Sequence, residues 1–262
     1  MRQVFAIIQN TFREAIRDRI LYGFLFFAIA LILFSLVLGQ LSLNQKLRST
    51  IDIGLMGISF VSVLISIFLG ITLLNKEIEK RTIYPVLAKP VSRVAYVIGK
   101  YFGLVSVVLV QMSLMLLVFF PLVYFQGGTI TAGLVVALLL IFVETLVIVA
   151  MALFFTSFSS PFLSGIFSLG LFVAGRNAHL IAELAQRKDI SWLSPFLDVV
   201  AAVTPNLYLF YPSGKIVEDT FATVHAQFVS TGYLVSTIGY GVALSAAFVT
   251  LSILLIRRRD FL

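Results

Sequence analysis

The chain contains no cysteine, and only 12% of its 262 residues are charged. The absence of cysteine excludes disulfides and cysteine-ligated metal sites. Histidine is also scarce, because His179 and His225 are the only two and lie far apart in the sequence, so no metal site is expected. The composition excludes an ordinary soluble domain, because few residues are charged, 60% are hydrophobic and the mean hydropathy is +1.06.

Long apolar runs make up most of the chain. A bilayer core about 30 Å thick needs roughly 20 helical residues. Six spans are predicted, at 20–41, 52–74, 99–125, 131–156, 161–178 and 232–256. None of them alternates apolar and polar residues as a barrel wall would, so the predicted fold is all-α. We expect a polytopic membrane protein with six transmembrane helices in a single domain over 1–262, whose first span stays in the mature protein.

Lysine and arginine are unevenly distributed between the two ends of the predicted spans. If both termini are cytoplasmic, 13 of the 19 basic residues fall on the inner side: Arg2, Arg13, Arg17, Arg19, Lys76, Lys80, Arg81, Lys89, Arg93, Lys100, Arg257, Arg258 and Arg259. The positive-inside rule then favours cytoplasmic termini and a location in the cell (inner) membrane. The net charge of +7 reflects this topology, and no nucleic-acid partner is expected. The connection 179–231 would be extracytoplasmic, with short helices dipping into the outer interface.

The first 19 residues predict an amphipathic helix. Met1, Phe5, Ile8, Phe12 and Ile16 recur at spacings of three and four, while the basic residues occupy other faces. Such a helix lies in the headgroup layer of the membrane. Two roles stay open for it: a basic anchor that orients the first span, or a contact with a partner protein.

The segment 75–98 has unusual chemistry for a loop between two spans. Thr82 can cap a short helix over about 83–88, with Pro85 in its first turn, and Pro90 ends it. Ser92 can cap the helix that follows. The short helix would either insert into a groove of a cytosolic protein or lie on lipid.

The next helix carries Gly99 and Gly103, spaced four apart so that another helix can approach closely. Gly99-Lys100 and Gly214-Lys215 are the two Gly-Lys pairs, and neither has the surrounding pattern of a phosphate-binding loop. ATP must then be bound by another polypeptide if it is used at all.

A short motif resembles a known family. Its residues are Glu77, Glu79, Thr82, Leu87, Pro90-Val91-Ser92-Arg93 and Gly99-Lys100. Together with the six-span layout, it resembles the coupling-helix region of ATP-binding-cassette (ABC) permeases of the type-2 exporter class. The chain departs from that pattern at Arg81, where the family commonly has glycine before the threonine. The segment Thr204-Pro-Asn-Leu-Tyr208 is similar to a proline-containing segment of many such permeases.

The resemblance implies a transport subunit and not an enzyme. Such a permease dimerises as a homo- or heterodimer and inserts its short cytoplasmic coupling helix into a separate ATPase subunit, which binds ATP and Mg; this chain itself would hold no cofactor. The residues implied in contacting that partner are Glu77, Glu79, Arg81, Thr82, Tyr84, Pro85, Val86, Leu87, Pro90 and Arg93. The function implied is export of an unidentified substrate.

Glu144 is the one acidic residue near the middle of a predicted span. An ionised carboxylate there costs roughly 3 kcal/mol unless it is paired, protonated or facing water, so the side chain is expected to point into the protein. It would line the pathway or latch helices between states, or it would be a protonated carboxyl bonded to a nearby Thr or Ser. Two small-residue stripes are expected to pack within the monomer or across a dimer: Ser160, Ser164 and Ser168, and Ser236, Gly239 and Ala243.

Two other classes of protein were compared with the permease. An intramembrane enzyme needs a cluster of catalytic groups, but the predicted spans contain no His, no Cys and a single acid. A self-contained ion- or proton-coupled carrier could use Glu144 as its proton site, although it would leave 75–93 unexplained. The sequence does not select a substrate.

Overall fold

The computed structural model describes residues 2–41, 46–79, 92–185, 194–211, 215–217, 220–222 and 229–258. Within these ranges the chain forms α1 (Arg2–Ile16), α2 (Arg19–Leu41), α3 (Lys46–Glu79), α4 (Arg93–Phe125), α5 (Ala132–Thr156), α6 (Pro161–Arg176), α7 (Ala178–Ala185), α8 (Ser194–Val203), a 3₁₀ helix (Leu207–Phe210), strands β1 (Lys215–Val217) and β2 (Thr220–Ala222), and α9 (Thr231–Arg258). The predicted all-α membrane architecture is confirmed.

Five of the described helices, α2, α3, α4, α5 and α9, are long and apolar enough to cross a membrane. The predicted span at 161–178 is different, because α6 has only 16 residues and ends at Arg176. At 1.5 Å per residue, its length is about 24 Å, short of a bilayer core. The prediction of six full-length spans is therefore not confirmed. The charge-free run from Thr145 to Gly175 is divided by the turn before Pro161, and too few residues remain after that turn for a second full-length helix.

Local capping chemistry sets where several helices begin. The Ser92 hydroxyl accepts a hydrogen bond from the amide of Ala95 at 3.1 Å, as expected for an N-cap. Thr131 caps α5 in the same way, and Ser160 caps α6 with Pro161 in its first turn. The turn between α4 and α5 uses Gly127 at φ +78°, a conformation that glycine adopts without strain.

The connection between α6 and α9 consists of short elements, as predicted. Besides α7, α8 and the 3₁₀ helix, it contains β1 and β2, a two-stranded antiparallel pair that the sequence did not predict. Leu207 and Phe210 of the 3₁₀ helix are fully buried. The Tyr233 hydroxyl of α9 donates to the carbonyl of Leu209 at 2.7 Å. The 3₁₀ helix is thus fixed to the helical bundle.

The helices form an antiparallel bundle with α3 and α5 at its centre. Both bury most of their apolar span, whereas α2 and α9 bury only a small part of theirs. Leu74 near the end of α3, Tyr96 near the start of α4, Leu153 near the end of α5 and Ile256 near the end of α9 line one small cavity. These four helix ends therefore meet at one end of the bundle, which we call the base.

Candidate functional site

The predicted coupling segment joins two helices at the base. α3 ends at Glu79, with Glu77 in its last turns, and α4 begins at Arg93. Seven of the predicted partner-binding residues lie outside the described residues: Arg81, Thr82, Tyr84, Pro85, Val86, Leu87 and Pro90. Their predicted role stays a prediction. α3 ends and α4 begins at the same end of the bundle.

Arg93, the first residue of α4, contacts the end of α9. Its Nη1 donates hydrogen bonds to the carbonyls of Ile256 at 2.9 Å and Arg257 at 2.8 Å. Carbonyls in the last turn of a helix have no partner within that helix, and a cation there interacts favourably with the helix dipole. Arg93 therefore joins the first turn of α4 to the last turn of α9.

The amphipathic helix α1 packs directly on α4. A Cβ added at Gly99 would lie 2.7 Å from the Cβ of Ile7, and one at Gly103 would lie 2.6 Å from the Cβ of Thr11. The predicted close approach at the two glycines is confirmed, and α1 is the helix that approaches. Phe5 on another face is 68% exposed. α1 thus combines an attachment to the bundle with an apolar face turned outward.

A buried ion pair adds to this attachment. Lys100 is only 2% exposed, and its Nζ lies 3.8 Å from Oε2 of Glu14 on α1. The same ammonium lies 5.9 Å from the ring centroid of Tyr96. A buried cation is tolerated where such partners compensate its lost hydration. The sequence counted Lys100 only as a basic residue of the inner side and missed this pairing.

We expect Gly103→Ala to lower the free energy of unfolding by up to about 2 kcal/mol. Overpacking costs about 1–3 kcal/mol, and the better helix propensity of alanine offsets up to about 1 kcal/mol of that. The matched control is Gly239→Ala on α9, where nothing lies within 4 Å of the added Cβ. Thermal unfolding in nanodiscs measures both. Equal melting temperatures for the two variants would contradict the close packing of α1 on α4.

A second cluster of polar groups lies deep in the bundle. Glu144, at the centre of α5, is fully buried, and its Oε2 lies 3.0 Å from Nη2 of Arg176. The same nitrogen donates to the Ser59 hydroxyl at 2.9 Å, and that hydroxyl lies 3.4 Å from Oε2 of Glu144. One group from each of α3, α5 and α6 thus meets at a single point. We call these three residues the polar cluster.

Aromatic rings enclose the guanidinium of Arg176. Its Cζ lies 4.5 Å from the ring centroid of Tyr211 and 5.4 Å from that of Phe172. Such cation–π contacts are stronger where water is excluded. Burial raises the pKa of the Tyr211 phenol to about 12, so the ring stays neutral at physiological pH. Tyr211 follows the 3₁₀ helix, so the polar cluster is also in contact with the connection between α6 and α9.

The predicted inward direction of Glu144 agrees with its complete burial. The hydroxyl named as one possible partner is present as Ser59, but the main partner is Arg176, which the sequence placed at the outer end of the predicted span 161–178. The role of Glu144 in lining the pathway or latching helices between states stays a prediction. One signal was available: Arg176 ends the charge-free run that begins at Thr145. Among the described residues, no three His, Asp or Glu side chains are grouped as metal ligands would be.

The two predicted small-residue stripes differ in their surroundings. Of the stripe on α6, Ser164 and Ser168 are fully buried inside the bundle, whereas Ser160, the N-cap, is exposed. Ser236, Gly239 and Ala243 on α9 are exposed in the single chain. An apolar groove of about 450 Å³ lies between α3 and α6, lined from Leu64 to Thr72 and from Pro161 to Leu169. Both the groove and the α9 stripe are surfaces that another molecule could cover.

Comparison with known proteins gives one match. The family model described as ABC-2 type transporter matches residues 2–208, which is most of the chain. The match includes α1, the segment between α3 and α4, and all three residues of the polar cluster. No curated protein matches the chain.

Proposed function

This chain belongs to the ABC-2 type transporter family, whose members are permease subunits of ABC transporters, and we propose that a separate ATPase subunit binds residues 75–98 and thereby drives transport. Both termini and the base would face the cytoplasm, in agreement with the distribution of lysine and arginine. ATP and Mg would be bound by the partner. The transport reaction would be export, with this chain forming part of the pathway.

One observation carries this proposal: the helices on either side of the coupling segment end and begin at the base, where α4 contacts both α1 and α9. Arg93 donates hydrogen bonds to α9, and Lys100 forms an ion pair with Glu14 of α1. A force applied to the segment would therefore act on several helices at once. Rigid displacement of packed helices is an established way of switching a membrane pathway between states.

A second permease copy would complete the pathway. The groove between α3 and α6 is apolar and open along its length, and we propose that it forms one wall, with the facing wall supplied by the second copy. This arrangement favours a substrate with a hydrophobic portion. The carrier alternative is less well supported, because Glu144 already has a charged partner in Arg176 and because a carrier would leave residues 75–93 without a role.

Labelling from one side of the membrane tests the orientation. Because the chain has no cysteine, a single Cys introduced at Tyr84 or at Thr129 is the only thiol. We expect an impermeant maleimide added to intact cells to label Thr129→Cys, in the turn at the end opposite the base, and to leave Tyr84→Cys unmodified. Membrane disruption should then expose Tyr84→Cys. Labelling of Tyr84→Cys in intact cells would overturn the proposed function.

A further inference from the structure

Arg93 occupies an electrostatically unfavourable place in its own helix. It follows the N-cap Ser92 directly, so its positive charge lies at the end of α4 where the helix dipole is also positive. The end of α9 has the opposite polarity, and the guanidinium reaches two of its carbonyls. Its charge is thus stabilised by α9 and disfavoured by α4.

Most of the contacts of α9 are made with a different helix. Along its length α9 packs chiefly against α5 and to a smaller extent against α4. Only 17% of its apolar span is buried. The bonds from Arg93 therefore link the last turn of α9 to the helix that directly follows the coupling segment. Ile256 also lines one small cavity with Tyr96 and Val97 of α4, so the bonds from Arg93 add a directed link to an apolar contact.

We infer that Arg93 is a positioning residue that makes the end of α9 move together with the start of α4 when the coupling segment is displaced. This inference rests on the proposed function. It differs from the role that the sequence motif implied, since Arg93 would act within this chain and not on the ATPase subunit. When the coupling segment moves, Arg93 would transmit the displacement to α9. The contacts of Gly99, Gly103 and Lys100 would transmit it to α1.

Arginine suits this role better than lysine. One guanidinium nitrogen carries two hydrogens and bonds both carbonyls at once, with a planar group that fixes their direction. An ammonium at the end of a flexible stem can keep the charge but holds the geometry less firmly. Arg93→Lys should therefore keep part of the effect, and Arg93→Gln should lose it.

The test measures a distance between α4 and α9 in the complete complex. Spin labels are attached to Phe102→Cys and Leu254→Cys, two positions about half exposed on α4 and α9. The permease and its ATPase subunit are placed in nanodiscs, and dipolar broadening is compared without nucleotide and after trapping with ATP and vanadate. With Arg93 present, we expect one narrow distribution with the same mean in both states. With Arg93→Gln, we expect the mean to shift on trapping and the distribution to broaden.

Arg257→Gln is the matched control. It removes one positive charge at the same place but keeps the carbonyl that Arg93 binds, so it should behave as the unaltered chain does. If Arg93→Gln gives the same distances as the unaltered chain in both states, the inference is overturned.

Co-purification separates the remaining outcomes. Loss of the ATPase subunit from Arg93→Gln alone would indicate direct contact with the partner and overturn the positioning role. Failure of the unaltered chain to bind any ATPase subunit would overturn the proposed function itself.

Discussion

Glu144→Ala is expected to lower the free energy of unfolding by about 3–5 kcal/mol, because it leaves the guanidinium of Arg176 without its carboxylate partner inside the bundle. A surface ion pair would be worth far less, about 0–1 kcal/mol. The difference lies in hydration: Glu144 is fully buried, and Arg176 is only 20% exposed. Thermal unfolding in nanodiscs, or denaturation in mixed micelles, measures the loss.

A double-mutant cycle separates the ion pair from simple loss of packing. Glu144→Gln and Arg176→Gln each leave one uncompensated charge, whereas the double variant leaves none. We therefore expect the double variant to be clearly more stable than the sum of the two single losses predicts. Ser59→Ala is the matched control on α3, since it removes only a hydroxyl and should cost about 1 kcal/mol. Additive losses for the two charged residues would show that they do not act as a pair.

Leu87→Asp is expected to weaken association with the ATPase subunit about 30-fold or more. If Leu87 is buried in a cleft of the partner, its replacement by a charge removes an anchor of a kind that contributes at least about 2 kcal/mol. Charge on the aspartate also has to be desolvated in the complex. Affinity is measured by co-purification and by titration of the ATPase subunit onto permease in nanodiscs.

The same change at the far end of the bundle provides the control. Thr129→Asp introduces an identical charge in the exposed turn between α4 and α5 and should leave association unchanged. An unaltered affinity of Leu87→Asp for the ATPase subunit would contradict the proposed insertion of residues 83–88 into that partner. Equal weakening by both variants would indicate a general loss of folding, and the melting temperature of each variant identifies that case.

Much of the fold could be read from local sequence. Helix α1 follows from the spacing of its apolar residues, and its close packing follows from two glycines four apart. Ser92 and the turn at Gly127 also act as local chemistry predicts. In each case a few neighbouring residues contain the whole signal, because capping and backbone conformation are short-range effects.

The pairings between helices could not be read in this way. Ser59, Glu144 and Arg176 are separated by 85 and 32 residues, and nothing in their local pattern states that three different helices bring them together. The burial of Lys100 depends likewise on where α1 lies. Arg93 belongs to a recognisable motif, yet the motif does not reveal that its side chain reaches the other end of the sequence. Such contacts are decided by tertiary packing.

The short length of α6 has a consequence for how the bundle sits in lipid. The depth of a transmembrane helix is set in part by residues near both membrane–water interfaces. α6 stops at Arg176, whose side chain is paired with Glu144 and lies against aromatic rings, so contacts within the protein hold that terminus. The depth of α6 in the membrane is therefore set by its contacts with α3 and α5. Thickening or thinning of the membrane should therefore tilt α2 and α9, which face lipid, while α6 keeps its register against α3 and α5.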